Sequence, residues 1–482
     1  MMKFAMSLLG LAIVCVAFWA GSYYPGSWQA YLLFTVVANA LLFRGFQRTA
    51  LFFDTFIGVF FWLGFWLKLS VGLLLGRATF LEALSFDRSP AAYDHALAVS
   101  SCGLAAFLAA SLIRGRFFAY PRETVSCAGS GLYRLYSRHR YLCVAAFLLI
   151  VIAVTVSNVW LGLYQRGMVA RTVLPYGLSG VYKWLLQFGL ASVSALIIRF
   201  EIEMNRNLTA MAVIPALLEN FLSNASLLSR GMILNAAGLA VGGLRLIRAM
   251  SLLVSLLRVA ALAVGFVVLF AVSVLAVNVL RATAYQTAAV AEQQAQHGRV
   301  AEPKVPSVRT IRFMTMALFV ERWVGLEGVV AVSSSNLLGW DLWREAWRET
   351  LREDKLSLYD STFIDTPYTA EPDDPKFHFI SLPGIVAFFY YPGSLAFLFA
   401  ALVGCAWLAA AFEIATYRYA GHNIVLCSLF AQVLAARFAH FGYVPAQSYL
   451  LLGSLLLNIA IFYLADRGLR RYFAEPAEVA GS

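Results

Sequence analysis

Residues 141–163, YLCVAAFLLIVIAVTVSNVWLGL, contain no Asp, Glu, Lys, Arg or His. At 1.5 Å per residue such a run makes a helix of about 34 Å, enough to cross the ~30 Å hydrocarbon core of a bilayer. Comparable apolar runs occur at 4–21, 29–44, 51–75, 96–113, 181–198, 208–226, 231–245, 259–280, 386–412, 423–441 and 446–465. The runs are continuously apolar, without the period-two alternation of a membrane barrel strand. The 482 residues are 61% hydrophobic and only 13% charged, with a mean hydropathy of +0.74, too apolar for one soluble core. The fold class expected is an all-α polytopic membrane protein of twelve spans. Lys3 precedes the first apolar run as in a secretory signal, yet no clear A-x-A cleavage site precedes Gly21, so 1–21 reads as a retained first helix.

Charge decides the orientation. With the N-terminus inside, the inner loops hold Lys3, Arg44, Arg48, the group from Arg114 to Arg140, then Arg199, Arg206, Arg245, Arg248, Arg258, Arg418, Arg467, Arg470 and Arg471. The short outer loops hold only Arg77, Arg88, Arg166, Arg171, Lys183 and Arg230. That is roughly three to one, the bias of the positive-inside rule, and it puts both termini in the cytoplasm. The net charge of +11 thus reports sidedness, and no nucleic-acid partner is expected. Three parts follow: helices 1–9 in 1–280, a large outer loop in 281–385, and helices 10–12 with a cytoplasmic tail in 386–482. None of the six cysteines lies in that loop, so no disulfide framework is expected there.

The loop opens with a polar, flexible stretch, 282–309, and continues through an apolar run, 313–332, interrupted by Glu321, Arg322 and Glu327. Residues 336–356 read as an amphipathic helix: Trp340, Trp343, Trp347 and Leu351 share one face, and Arg344, Arg348 and Arg352 another. Such a helix suits a membrane interface. Residues 359–384, punctuated by four prolines, read as loop.

Ionisable residues inside spans are costly and usually face a cavity or a partner. Here they favour the outer half: Lys68, Glu219, Arg437 and His440, with Arg230 at the turn after span seven and Arg166 and Arg171 in the short loop after span five. Asp54 and Glu413, near inner ends, fit simple snorkelling. Blander readings stand beside these. Lys68 and Glu219 can pair with each other, Arg437 and His440 can reach headgroups, Arg166 and Arg171 can be solvated, and Arg230 can anchor a turn.

Guanidiniums gathered at the outer headgroup level suit a lipid pyrophosphate, because Arg stays charged and binds phosphoryl oxygens with a planar fork. The same cluster would stabilise a diphosphate leaving group as charge develops on it. No DxD, HExxH or EF-hand pattern offers a metal site, and Asp373-Asp374 reads as a solvated turn; no metal or cofactor is expected. A glycosyl transfer would also need a base or orienting group. Candidates are His378, Glu321, Glu327 and Asp341; His378 can equally make one structural hydrogen bond, and Glu327 can pair with Arg322.

In this layout the chain resembles the O-antigen polymerases, the Wzy-type oligosaccharide repeat-unit polymerases. The likeness spans nearly the whole chain: twelve spans, both ends inside, a short basic outer loop after span five and a long one after span nine. The family's Arg-x10-Gly pattern is met by Arg166 and Gly177, with Arg171 and Tyr176 between them. No second copy lies in 281–385, where Arg322 is the arginine chosen instead. The related ligases carry His, then Asn, Ser or Gln, with Gly after nine residues; His378 is followed by Phe379, and after His422-Asn423 Val433 stands where Gly belongs. The resemblance implies an inverting, metal-independent glycosyl transfer on the outer face of a bacterial inner membrane. Donor and acceptor would be undecaprenyl-pyrophosphate-linked oligosaccharides, with a chain-length regulator as a further partner. Catalytic roles then fall to His378, Glu327 and Arg322, and pyrophosphate binding to Arg166, Arg171, Arg230, Tyr176, Gly177, Lys68 and Arg437.

An O-antigen ligase-like transferase and a lipid-oligosaccharide flippase are the competing readings. A flippase accounts for the intramembrane charges but not for a long loop with a tryptophan helix.

Overall fold

The computed structural model describes residues 2–76, 78, 80, 82–115, 117, 125–166, 168, 170–229, 231, 233–252, 256–297, 323–350, 356–365 and 381–474. Among these the chain is helical, with an isolated bridge between Ala83 and Ile364. In chain order the helices are α1 (Met2–Gly21), α2 (Trp28–Gly45), α3 (Phe52–Leu74), α4 (Pro90–Arg114), α5 (Gly131–Arg138), α6 (Arg140–Leu161), α7 (Pro175–Asn205), α8 (Ala210–Ser226), α9 (Ile233–Ala249) and α10 (Leu256–His297). Then come α11 (Leu326–Ser333), α12 (Trp340–Arg348), α13 (Leu358–Phe363), α14 (Ile385–Phe389), α15 (Leu395–Tyr419), α16 (Ile424–Ala439) and α17 (Ser448–Ala474).

Among the described residues, seven helical segments are long and apolar enough to cross a membrane: α3, α4, α6, α7, Ala263–Leu280 within α10, α15, and Pro445–Phe473, which holds nearly all of α17. Gly10–Gly21 and α16 are shorter apolar helices. The protein is therefore a polytopic helical membrane protein. Many helices start where a short polar side chain can accept a first-turn N–H. Ser27, Ser89, Thr209 and Ser394 each do so from the residue three positions on, and Asn423 accepts from Val425 and Leu426.

The centre is built by α16, packed against α3, α7, α9 and α15, while α4 joins α2 to α15. The glycines of α9 are what let it approach so closely. A Cβ on Gly238 would stand 3.2 Å from the Leu429 Cα, and one on Gly242 would stand 2.8 Å from that of Val425, so both positions of this Gly-x-x-x-Gly pair serve a close crossing.

Several expectations change. The tenth apolar stretch is not one helix: α14 is short and wholly buried, then Pro392-Gly393 breaks the chain, with Gly393 at φ 75°, before α15 begins. The stretch 282–297 continues α10, whose 42 residues make about 63 Å of helix, far more than one bilayer crossing; 298–309 lies outside the described residues. The amphipathic helix is shorter than its pattern, and its tryptophan face meets protein. Trp340 and Trp343 pack on Phe397, with ring centroids 4.9 and 5.3 Å apart, and Trp347 packs on Phe388 at 5.4 Å. Residues 358–363, read as loop, form α13.

Snorkelling is also corrected for Asp54 and Glu413. Asp54 is buried with the Arg114 guanidinium and accepts the Leu51 N–H at 2.9 Å. Glu413 is buried and accepts the N–H groups of Phe52 and Phe53, both at 2.9 Å. A carboxylate there satisfies orphan donors and complements the N-terminal dipole of α3, so both acids lock helix ends together.

Candidate functional site at the Arg166 face

Near the end of the run 141–163 stands Asn158, whose amide ties together the loop that carries Arg166. Its Nδ2 donates to the Ser226 carbonyl at 3.1 Å, the Ser226 Oγ at 2.8 Å and the Tyr164 carbonyl at 3.1 Å, and its Oδ1 accepts the Tyr164 N–H at 3.0 Å. The Arg166 N–H then donates to the Leu227 carbonyl at 2.9 Å. The end of α6 is thereby fastened to the end of α8, which fixes where Tyr164 and Arg166 project.

Around Tyr164 the cations converge. Lys183 Nζ lies 4.8 Å from the centre of its ring, and Gln187 donates to its hydroxyl at 3.2 Å. Burial pushes the Tyr164 phenol up, but the charges of Arg166 and Lys183 and hydrogen bonds from Gln187 and Arg166 outweigh it, leaving the group below its ordinary 10.0. Arg437, from α16, feels both Arg166 and Tyr164 electrostatically. Arg166 Nη1 lies against Gly231, 3.7 Å from where a Cβ would stand. Cations from the loop after α6, from α7 and from α16 thus share one neighbourhood.

A second group lies where α3 meets the long connection. Lys68 follows a π-turn, Trp62–Leu67, which interrupts the α-helical ladder. Such turns re-aim the side chains after them. Gly64 within it lies against Gly325, where a Cβ on either residue would meet the other segment's backbone within 2.6 Å. Lys68 donates to the Trp323 carbonyl at 3.0 Å and forms an ion pair with Glu327. Burial raises the Glu327 carboxyl, and Lys68 pulls it part of the way back. Tyr359, buried in α13, senses Glu327, Asp360 and Glu82, so a carboxylate-rich neighbourhood surrounds this pair.

The remaining candidates part company. Arg171 folds back on α6: it donates from Nη2 to the Val159 carbonyl at 3.1 Å and presses against Gly162, which closes that helix at φ 60°. Tyr176 is fully exposed and Gly177 faces open space, both at positive φ. Glu219 does not meet Lys68; it accepts from Asn220 at 2.9 Å and Ser223 at 2.9 Å on its own helix. Arg230, Arg322 and His378, with Glu321, Asp373 and Asp374, lie outside the described residues. Asp341 pairs with Arg344 at 2.7 Å on the exposed side of α12.

Sequence reasoning missed Asn158, Tyr164 and Gln187. A lone asparagine near the end of a long apolar run was the available signal for the first. Among the described residues no three His, Cys, Asp or Glu side chains gather to hold a metal ion. Comparison with protein-family models, curated proteins and solved structures gives no match.

Proposed function

We propose that this chain is a membrane glycosyltransferase of the repeat-unit polymerase type, with twelve spans, both termini in the cytoplasm and its site on the periplasmic face of a bacterial inner membrane. The observation that carries this reading is the gathering of Arg166, Arg437 and Lys183 about Tyr164. Cations held together at the ends of helices repel one another, and an anion bridging them relieves that repulsion. A diphosphate suits the place, since two guanidiniums can each grip a phosphoryl group bidentately.

In this reading Arg166 and Arg437 hold the pyrophosphate of an undecaprenyl-linked glycan donor and stabilise its charge as the glycosyl bond breaks. Glu327 is the candidate base for the acceptor sugar hydroxyl, with Lys68 fixing its position.

The test is reconstitution of the purified protein in vesicles with lipid-linked repeat units. Products longer than one repeat, with release of undecaprenyl pyrophosphate, support polymerase. Movement of the lipid-linked unit across the bilayer without chain extension contradicts it and favours the flippase reading.

A further inference from the structure

A separate hollow of about 390 Å³ lies at the opposite ends of the helices, between the C-terminal third of α7, the turn joining α15 to α16, and the C-terminal half of α17. Its volume is within the range of small-ligand sites. Four arginines line it, Arg199, Arg418, Arg467 and Arg470, against one lining carboxylate, Asp466.

Asp466 is already engaged. It accepts from the Ser130 Oγ at 2.5 Å and the Leu132 N–H at 3.2 Å, and it pairs with Arg470 at 2.5 Å. Neither Arg418 nor Arg467 has a carboxylate partner among the described residues.

Arg199 forms the buried side of the hollow. It is 1% exposed, yet lines the hollow. Its Nε meets the Cys127 Sγ at 3.1 Å, and its Nη2 donates to the Val125 carbonyl at 2.6 Å and approaches Glu203 at 3.2 Å. Its Nη1 is enclosed and makes no hydrogen bond among the described residues. His422, at the same turn, is held below its ordinary 6.5 by burial and by the charges of Arg199 and Arg470, which marks the local potential as positive.

We infer that this hollow binds a phosphoryl group, with Arg199 at its floor and Arg418 and Arg467 at its rim. The inference does not rest on the glycosyltransferase reading, because the two sites share no residue. The phosphoryl group has two sources: a phospholipid headgroup at the cytoplasmic headgroup level, or a small water-soluble phosphate.

The experiment uses full-length protein in detergent and the double variant Arg418→Gln/Arg467→Gln, whose side chains are exposed and whose loss leaves the packing intact. Inorganic pyrophosphate is titrated calorimetrically, and retention of phosphatidylglycerol over phosphatidylcholine is read by native mass spectrometry. Saturable pyrophosphate binding that persists in Arg166→Ala protein, where the other candidate diphosphate site is disabled, and that is weakened at least tenfold when Arg418→Gln/Arg467→Gln is added to it, identifies a soluble source. Selective phosphatidylglycerol retention that the double variant loses, without pyrophosphate binding, identifies the lipid. The inference is overturned if the wild type does neither, or if the monodisperse double variant behaves as the wild type does.

Discussion

Lys68 and Glu327 form an ion pair that joins a transmembrane helix to the long connection between α10 and α14. Lys68 is only 12% exposed, whereas Glu327 keeps 40% of its side-chain surface. The pair is thus intermediate between a surface bridge and a fully buried one, and its asymmetry sets its energetics. Lys68→Ala leaves a carboxylate among other acids and is expected to cost roughly 2 kcal/mol, between the ~0–1 of exposed pairs and the ~3–5 of buried ones. Lys68→Met with Glu327→Leu recovers most of that loss. Thermal unfolding in detergent reads both variants, and a double variant less stable than either single one contradicts the pairing.

Arg166 and Arg171 are separated in role. Arg166→Ala removes a cation beside Tyr164 and is expected to lower chain extension about 10²-fold, as loss of one transition-state donor does, with little change in stability. Arg171→Ala removes a donor to the end of α6 and is expected to cost about 1 kcal/mol of stability while transfer persists. Polymer length on gels and melting of the purified variants distinguish the two. Equal loss of transfer in both refutes the division.

As a base, Glu327 acts only when ionised. Its carboxyl is raised above 4.5 by burial, against the pull of Lys68. Turnover is therefore expected to climb about tenfold per pH unit below that raised pKa and to level off above it. Glu327→Gln flattens this limb and lowers the plateau about 10²-fold or more. An acid limb that survives the substitution removes Glu327 from the mechanism.

Asn158 has no charge and no direct part in transfer, yet it holds Tyr164 and Ser226 through four hydrogen bonds. Asn158→Leu strands those partners and is expected to cost about 2–3 kcal/mol and to slow transfer by loosening Tyr164. Asn158→Asp keeps the acceptor for the Tyr164 N–H but sets an oxygen against the carbonyls of Tyr164 and Ser226, so little recovery in melting temperature over the leucine variant is the expected result. Unchanged melting in the leucine variant contradicts the role.

The apolar runs carried the helices because a span must be continuously apolar, and each of the twelve runs falls largely within helix. The break before α15 was also written in the chain, as Pro392-Gly393-Ser394, but the long apolar context masked it. Residues 336–356 carried the tryptophan period, which reveals a face but not its partner; three phenylalanines far along the chain pack against that face. The π-turn before Lys68 has no local signature, because it arises from the close approach of Gly64 to Gly325. The site was legible only as an excess of arginine where arginine is otherwise avoided. Which arginines meet depended on Asn158 and on the packing of α16, neither of which has a periodicity to read.

The most direct test of the central claim is a cryo-electron microscopy map of the protein with bound polyprenyl pyrophosphate. The account predicts diphosphate density within hydrogen-bond distance of both Arg166 and Arg437, beside Tyr164. Diphosphate density elsewhere, with those two guanidiniums unliganded, would contradict it.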